Sequence, residues 1–421
     1  MVKKLTFKNG LRLVLASQPA SPATTVLVLV AAGSEYETKK INGISHFLEH
    51  LMFKGTAKRP KPGMISRELD ALGAEYNAFT GQEYTGYWAK VERRKTLKIL
   101  ELVSDLYLNP IFNPEEIEKE RGVVIEEINM YEDTPMRRVQ EFFTSLLYGD
   151  QPAGWDIAGE KSVIRTLERK DFERYRARRY LAPATVVVVS GAFDEKKVTK
   201  AVHALFDGLK RTPVLKKPKT TESQQRPQVF VKFKESDQSH LVVGTRAIDI
   251  FDTRRYALEL LSHVLGGGMS SRLFHRIREE LGAAYYIRSF ADLSLDHGYL
   301  SVSAGVDHRK IEIVIHAILD ELTRLRRDLV PADELRKSKD HMIGNFVLSL
   351  ETSDQLANFY GGQEVLLRAV KDPKAVIAKV EAVSAEEIRA VARSFFTDNR
   401  LNLAVIGPYK KAAPFKKLLR F

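Results

Sequence analysis

Two histidines and a glutamate occur within five residues of each other in the segment His46-Phe-Leu-Glu49-His50. If the segment is helical, the histidines are four residues apart and project from one face. Two imidazoles on one face can bind a single tetrahedral zinc ion at about 2.0–2.1 Å. Glu49 lies between them in angle and is not needed as a ligand, so it is placed to take a proton from an attacking water molecule. The spacing therefore indicates metal-assisted hydrolysis.

The same segment carries the apolar pattern of an amphipathic helix. Five apolar residues recur at helical spacing and form one stripe: Ile44, Phe47, Leu48, Leu51 and Met52. At 100° per residue, His46, Glu49 and His50 group on the opposite side. Histidines that fill a hydrophobic core would lie within the stripe. The pattern therefore favours metal ligands over core histidines.

A third ligand must come from another part of the chain, and the segment from Ile117 to Tyr131 is the best local candidate. As a helix, this segment would place Glu120 and Glu127 along one edge of its apolar stripe, whereas Glu126 points well away. A carboxylate at such an edge suits a ligand in a cleft, and the other suits a group that supports a ligand. Geometry alone leaves open the alternative that both are solvated surface glutamates.

Bulk properties of the chain limit the remaining chemistry. Its 421 residues are too many for one ordinary hydrophobic core, so we expect two or more domains. The absence of cysteine excludes disulfides, thiolate metal sites and cysteine nucleophiles, so that a metal must be held by histidine and carboxylate side chains. The formal net charge is +12, but Lys and Arg alternate with Asp and Glu nearly everywhere. We therefore predict no nucleic-acid partner.

The sequence carries no sign of membrane insertion or export. No apolar run approaches the roughly 20 residues that a membrane span requires. The N-terminus reads as a strand ending in an Asn9-Gly10 turn, without the apolar core and cleavage site of a signal peptide. We predict no membrane partner and a cytoplasmic protein of a prokaryote.

A polar stretch and an internal repeat divide the chain. Residues 213–227 contain prolines and show no periodicity, which is typical of a linker. We predict a catalytic domain over residues 1–212 and a homologous domain over 228–421. Residues 172–193 read as a helix, a break and an apolar strand, and residues 388–409 repeat that order without a gap.

Both halves also contain strand pairs that alternate between apolar and polar residues, over residues 75–91 and 285–306. Such alternation indicates antiparallel hairpins. We therefore predict an α+β fold of two homologous domains, each with an antiparallel-rich mixed sheet and helices packed on one face.

Alignment of the two halves puts other residue types where the first half has its candidate metal site. His46, Glu49, His50 and Glu127 fall near these four residues, in the same order: Ala257, Leu260, Leu261 and Asn345. We therefore predict a metal-free second domain and one zinc ion per chain.

The motifs resemble those of the pitrilysin and mitochondrial processing peptidase family of zinc peptidases, the inverzincins. The resemblance covers nearly the whole chain, and the segment from His46 to Thr56 matches the inverted zinc motif and the residues after it. The family takes its third ligand from a glutamate separated from the second histidine by 76 residues, which implies Glu127. It also has a glutamate seven residues before that ligand, and Glu120 holds this position.

The resemblance implies a substrate site as well. The segment Gly-Ala-Glu-Tyr-Asn77-Ala78-Phe79-Thr resembles the edge strand on which the family holds an extended peptide. In the second half, Arg278 and Tyr285 match an arginine–tyrosine pair seven residues apart, which would steady the substrate backbone and the developing oxyanion. On local sequence alone, Arg278 could be a surface charge and Tyr285 a core residue.

A run of glycines, Gly266-Gly-Gly-Met269, resembles part of the glycine-rich loop of the non-catalytic processing-peptidase subunit. The run is much shorter than that loop, and three consecutive glycines are typical of a flexible turn.

The sequence as a whole predicts a zinc-dependent endopeptidase or oligopeptidase that acts on extended peptides or unfolded precursor segments. The resemblance implies a chamber between paired homologous halves, and related enzymes use two such pairs. We therefore expect a homodimer, with a heterodimer with a paralogue as the other possibility. The alternative function is a non-catalytic structural or interaction subunit of the same fold.

Overall fold

The computed structural model describes residues 2–421 of the chain. In that range the strands are β1 (Val2–Thr6), β2 (Arg12–Ser17), β3 (Ala23–Val30), β4 (Glu75–Thr80), β5 (Thr85–Glu92), β6 (Thr185–Gly191), β7 (Gln228–Phe233), β8 (Ser239–Arg246), β9 (Ala284–Leu293), β10 (Gly298–Val306) and β11 (Leu401–Gly407).

The α-helices of the same range are α1 (Ile44–Met52), α2 (Met64–Ala71), α3 (Thr96–Leu108), α4 (Pro114–Glu132), α5 (Pro135–Tyr148), α6 (Lys161–Ile164), α7 (Arg169–Arg179), α8 (Glu195–Phe206), α9 (Arg255–Gly266), α10 (Ile311–Arg327), α11 (Ala332–Leu348), α12 (Ser353–Leu367), α13 (Pro373–Glu381), α14 (Ala385–Phe395) and α15 (Ala413–Leu418). A π-helical segment, Phe274–Glu280, lies between α9 and β9.

The chain forms two compact units, and each contains one sheet. Unit 1 consists of the residues up to Asn129, Trp155–Pro218 and Val347–Asp372. Unit 2 consists of Met130–Gly154, Lys219–Phe346 and Pro373–Phe421.

The two sheets have the same strand topology apart from one additional strand in unit 1. Their strand orders are β1-β2-β6-β3-β5-β4 and β7-β11-β8-β10-β9. One neighbouring pair in each sheet is parallel, β2 with β6 and β7 with β11, and the other pairs are antiparallel. The predicted α+β fold of two homologous domains with antiparallel-rich mixed sheets is confirmed. The repeat detected over residues 172–193 and 388–409 corresponds to α7–β6 and α14–β11, whose strands are buried along their full length.

Each sheet has helices from its own half on one face and receives one helix from the other half on the opposite face. In unit 2, alternate residues of the sheet pack against α9, α10 and α14. The residues between them, such as Val242 and Ala404, pack against Val139 and Phe143 of α5. In unit 1, Leu27 and Leu29 of β3 correspondingly pack against α12.

The exchanged helices explain why the two units differ from the continuous domains predicted at residues 1–212 and 228–421. Helix α5 precedes residue 212 but belongs to unit 2, and α12 follows residue 228 but belongs to unit 1. A buried ion pair fixes α12 to the sheet of unit 1, because Arg12 Nη1 donates to Glu364 Oε1 at 3.1 Å.

The predicted linker, residues 213–227, contains neither helix nor strand in the described structure. Its first part is nevertheless anchored to unit 1. The buried ammonium group of Lys217 contacts the carboxylates of Glu35 and Glu83, the latter at 2.8 Å. Within residues 2–421, no helix has the length and apolar character needed to cross a membrane.

Candidate metal centre

The N-cap of helix α1 is Gly43, whose backbone has the left-handed conformation that favours glycine. Gly43 has φ of +93°, and a Cβ atom there would lie 2.6 Å from the carbonyl oxygen of Ala158. The predicted apolar stripe of α1 is buried, with all five of its residues at most 1% exposed. Packing of this stripe directs the opposite, polar face of the helix toward the metal site.

A buried carboxylate outside the helix holds its first turn. Glu37 accepts hydrogen bonds from the backbone N–H groups of Gly43 and Ser45 at 2.7 and 2.8 Å, and from the Asn42 amide at 3.1 Å. These backbone groups have no partner within the helix, so Glu37 replaces the N-cap side chain that Gly43 lacks. Burial raises the pKa of Glu37 to about 7, although its hydrogen bonds act in the opposite direction.

Three candidate ligands converge from α1 and α4. The distance from Glu127 Oε2 to His46 Nε2 is 3.5 Å, and the distance to His50 Nε2 is 3.4 Å. With bonds of about 2.0–2.1 Å, two ligands of a tetrahedral ion lie about 3.3–3.4 Å apart. The two nitrogens and the carboxylate oxygen all lie within 4.8 Å of one another. This donor set therefore fits zinc, whereas the neighbouring Glu126 is exposed.

Glu120 contacts the candidate ligand His50 at Nδ1, the ring nitrogen that does not face the metal site. Its Oε2 lies 3.2 Å from Nδ1 of His50, and its Oε1 lies 2.5 Å from the Lys54 ammonium group. Burial alone would raise the pKa of Glu120, but the bonds to His50 and Lys54 outweigh it and lower the pKa. An ionised carboxylate at Nδ1 fixes the orientation of the imidazole and leaves Nε2 for a metal ion.

Glu49 has a different environment from the candidate ligands. The hydroxyl group of Thr80, the last residue of β4, donates to Glu49 Oε2 at 2.5 Å. Burial raises the pKa of Glu49 above its usual range, and the bond from Thr80 only partly offsets this. A carboxylate with a raised pKa is a stronger base, which suits a group that accepts a proton near neutral pH.

The predicted substrate strand is the edge strand β4. It pairs with β5 on one side, and within residues 2–421 the sheet order places no strand on its other side. The ring of Phe79 lies across Gly86, where a Cβ atom would approach it to 2.4 Å, so this side chain packs on the sheet. Asn77 is exposed and accepts a hydrogen bond from the backbone N–H of Ala78 at 2.9 Å.

Arg278 and Tyr285 belong to unit 2. Arg278 lies in the π-helical segment, where its guanidinium carbon is 4.9 Å from the centre of the Phe274 ring. Tyr285 lies on β9 with 74% of its surface exposed, so it is not a core residue. Their predicted contact with a substrate remains a prediction.

Three residues at the site were not identified from the sequence: Glu37, Lys54 and Thr80. Thr80 and Glu49 are 31 residues apart, and nothing in the pattern of either segment links them. Of the three, only Lys54 has a position in the sequence that could have indicated a role at the site. It lies four residues after His50, about one helical turn farther along the face that carries the histidines.

Comparison with known families supports the sequence resemblance. Residues 12–161 match the family model described as insulinase (peptidase family M16), and residues 166–342 match the model of the peptidase M16 inactive domain. An uncharacterized zinc protease of Bacillus subtilis is 34% identical over 97% of this chain and 98% of its own length. Another from Streptomyces coelicolor is 32% identical over 97% of this chain and 90% of its own.

Solved structures reproduce the fold over nearly the whole chain. A protease from Helicobacter pylori superimposes with a TM-score of 0.90 at 24% identity, covering 97% of this chain and 99% of that one. A Pseudomonas fluorescens structure described as a peptidase M16 inactive domain gives a TM-score of 0.89 at 16% identity, covering 97% and 98%.

Proposed function

Because this chain belongs to peptidase family M16, we propose that it is a zinc-dependent endopeptidase that cleaves extended peptides or unfolded precursor segments. One observation carries the proposal: His46, His50 and Glu127 present ligand atoms at zinc-compatible distances, and Glu49 stands between the two histidines on the same helix. A subunit without catalytic function would not need a base beside the metal ligands.

Zinc bound by His46, His50 and Glu127 would supply a Lewis acid that activates water and polarises the scissile carbonyl group. Glu49 accepts the proton of the attacking water and delivers it to the leaving amine. The Thr80 hydroxyl occupies one oxygen of the Glu49 carboxylate and leaves the other for the water molecule.

The substrate in this proposal is an extended chain. The outer edge of β4 near Asn77, Ala78 and Phe79 can accept a peptide as an added strand, once Asn77 Oδ1 releases the backbone N–H of Ala78. Folded segments cannot pair in this way, so the proposed enzyme acts on unfolded polypeptides. We further propose that Arg278 and Tyr285 bind the substrate backbone, on the strength of the family resemblance.

The central test is Glu49→Gln in zinc-loaded protein. We expect the variant to keep its zinc and to lose peptide hydrolysis by about 10²–10⁴-fold, because the amide cannot accept the proton. Mass spectrometry of a digested peptide library measures turnover, and elemental analysis measures zinc. The matched control is Glu126→Gln, which changes an exposed glutamate beside Glu127 and should leave both quantities unchanged.

The outcomes separate the proposal from its alternative, a non-catalytic subunit. Chelator-sensitive turnover by wild type that Glu49→Gln abolishes supports the enzyme. Absence of turnover in zinc-loaded wild type across the library would favour the subunit, and full activity in Glu49→Gln would refute the role of the base. One zinc ion per chain is part of the proposal.

We also propose that the chain acts as a homodimer in the cytoplasm of a prokaryote. The dimer follows from the paired halves implied by the resemblance, since this chain carries both the zinc motif and the Arg278–Tyr285 pair. Light scattering of the purified chain measures the mass, and a monomer in the presence of substrate would favour a paralogous partner.

A further inference from the structure

Unit 2 contains a pair of histidines that the proposed peptidase mechanism does not use. His263 on α9 and His341 on α11 are 78 residues apart, yet His263 Nε2 and His341 Nδ1 lie 2.8 Å from each other. The ring centres are 4.9 Å apart, and the ring planes are inclined by 40°. His263 is half-buried and His341 is exposed, so the pair is accessible from one side.

The glycine run at the C-terminal end of α9 makes room for both rings. A Cβ atom on Gly267 would lie 2.3 Å from His263 Nδ1, and one on Gly268 would lie 2.9 Å from His341 Cε1. Gly266 packs as closely against β9, where a Cβ atom would lie 2.5 Å from the Ser289 nitrogen. The run therefore forms a turn and also a surface against which both imidazoles pack.

The environment keeps His263 available for a metal ion. Burial lowers the pKa of His263 to about 4, and the neighbouring His341 acts in the same direction. A neutral imidazole has one ring nitrogen with a lone pair, and such nitrogens are the usual ligands of transition metals.

We infer that His263 and His341 form a second metal site, for a divalent ion of tetragonal geometry such as Cu²⁺ or Ni²⁺. With metal–nitrogen bonds of about 2.0–2.1 Å, nitrogens 2.8 Å apart subtend about 90° at the ion. Adjacent positions of a square-planar or octahedral ion have this angle, whereas a tetrahedral ion needs nitrogens about 3.3–3.4 Å apart. Water fills the remaining positions on the exposed side.

Binding exchanges one hydrogen bond for two metal bonds. The imidazole that donates the N–H···N bond transfers that hydrogen to its other ring nitrogen, and both rings turn so that the two freed lone pairs, which face each other in the hydrogen bond, converge on the ion. If His341 is the donor, its Nε2 receives the hydrogen on the exposed side. The transferred hydrogen stays on its own ring, so this exchange releases no proton, and the ion links α9 to α11.

The test uses the untagged, zinc-loaded chain, because an affinity tag of histidines would itself bind the probe. Isothermal titration with NiCl₂ measures further binding, and elemental analysis monitors the zinc already present. We expect one Ni²⁺ per chain in wild type and at least about tenfold weaker binding in His263→Ala and His341→Ala. The matched control is His275→Ala, which removes an exposed histidine of the same unit and should bind Ni²⁺ like wild type.

Additional measurements identify the ligands and exclude misfolding. Electron paramagnetic resonance of added Cu²⁺ should report two nitrogen ligands in wild type and in His275→Ala, but fewer in His341→Ala. Because His341 is exposed, its removal should leave the melting temperature unchanged. Wild-type protein that binds no further Ni²⁺, equal binding in all variants, or tighter binding of Zn²⁺ than of Ni²⁺ would each overturn the inference.

Discussion

Helices α1 and α4, which carry the candidate zinc ligands, have the same places in the chain order as α9 and α11, which carry His263 and His341. Helix α1 lies between β3 and the β4–β5 hairpin, and α9 lies between β8 and the β9–β10 hairpin. The residues on these helices differ. Helix α1 buries one stripe and leaves Glu49 and His50 only half-buried. The residues near the equivalent positions of α9, Ala257, Leu260 and Leu261, are at most 5% exposed.

The comparison separates what the fold needs from what the chemistry needs. Unit 2 shows that this sheet topology forms with apolar residues at the positions of His46, Glu49 and His50. The polar face of α1 is therefore not required by the fold, and its histidines and glutamate must be there for another reason. The α9–α11 pair instead carries two imidazoles of its own, whose facing nitrogens lie 2.8 Å apart.

The strongest test of this comparison makes α1 more like α9. His46→Ala introduces the residue that the aligned second half carries at Ala257, and it removes one of three candidate zinc ligands. We expect zinc affinity and peptide hydrolysis to fall by about 10³-fold or more, while the fold persists. Zinc content, turnover and circular dichroism measure the three quantities, and retention of stoichiometric zinc would contradict the assigned ligand set.

The helices also differ in how their first turns are held, and this predicts a dependence on pH. Glu37 holds α1, whereas the N-cap of α9, Arg254, makes no side-chain capping bond. Burial raises the pKa of Glu37 from 4.5 to about 7, so between these values the folded chain retains a proton that the unfolded chain has lost. The contribution of Glu37 to the free energy of unfolding therefore falls by up to about 3 kcal/mol as pH rises to about 7.

Denaturant unfolding from pH 4.5 to 8 measures this slope, which Glu37→Gln should reduce. Glu259 on α9 is a matched control, because burial also raises its pKa to about 7. Glu259→Gln should reduce the slope similarly but leave zinc affinity unchanged, since Glu259 does not hold α1. Equal effects of the two variants on zinc affinity would show that Glu37 has no special role in positioning His46.

The elements that the sequence predicted best are those in which local pattern and chemistry agree. His46, Glu49 and His50 have the spacing of a metal motif and also lie opposite the apolar stripe of the same helix. Glu127 lies at the edge of the apolar stripe of α4. The repeat of α7–β6 by α14–β11 was detectable because both halves kept the same order of helix, break and apolar strand.

The features that the sequence did not reveal depend on long-range packing. The sequence of a helix such as α5 or α12 does not say which sheet the helix covers, so the helix exchange leaves no local signal. Glu37, Thr80 and the His263–His341 pair acquire their partners only when distant segments meet. The glycine run by itself indicates a turn, but its contact with two imidazoles arises only in the folded structure, when His341 packs against it.

A smaller effect would show whether the edge strand positions the proposed base. Thr80→Val removes the hydroxyl group that donates to Glu49 and retains the shape of the side chain. We expect kcat to fall by about 10- to 100-fold with little change in KM or zinc content, because Glu49 loses its fixed orientation. Thr80→Ser retains the hydroxyl and should restore most of the rate. Equal rates for Val and Ser would assign Thr80 a packing role only.

The smallest expected effect concerns Lys54, which acts on the site through Glu120. Lys54→Met keeps an unbranched chain but removes the ammonium group that lies 2.5 Å from Glu120 Oε1. Glu120 would then orient His50 less firmly, and we expect zinc to bind about tenfold more weakly. Competition with a chromogenic chelator measures this change. Lys58→Met is the matched control, since Lys58 contacts Glu101 instead and is four residues farther along the chain. If both variants bind zinc as wild type does, Glu120 keeps His50 in place without Lys54. Lys54 would then have no part in positioning the candidate ligands.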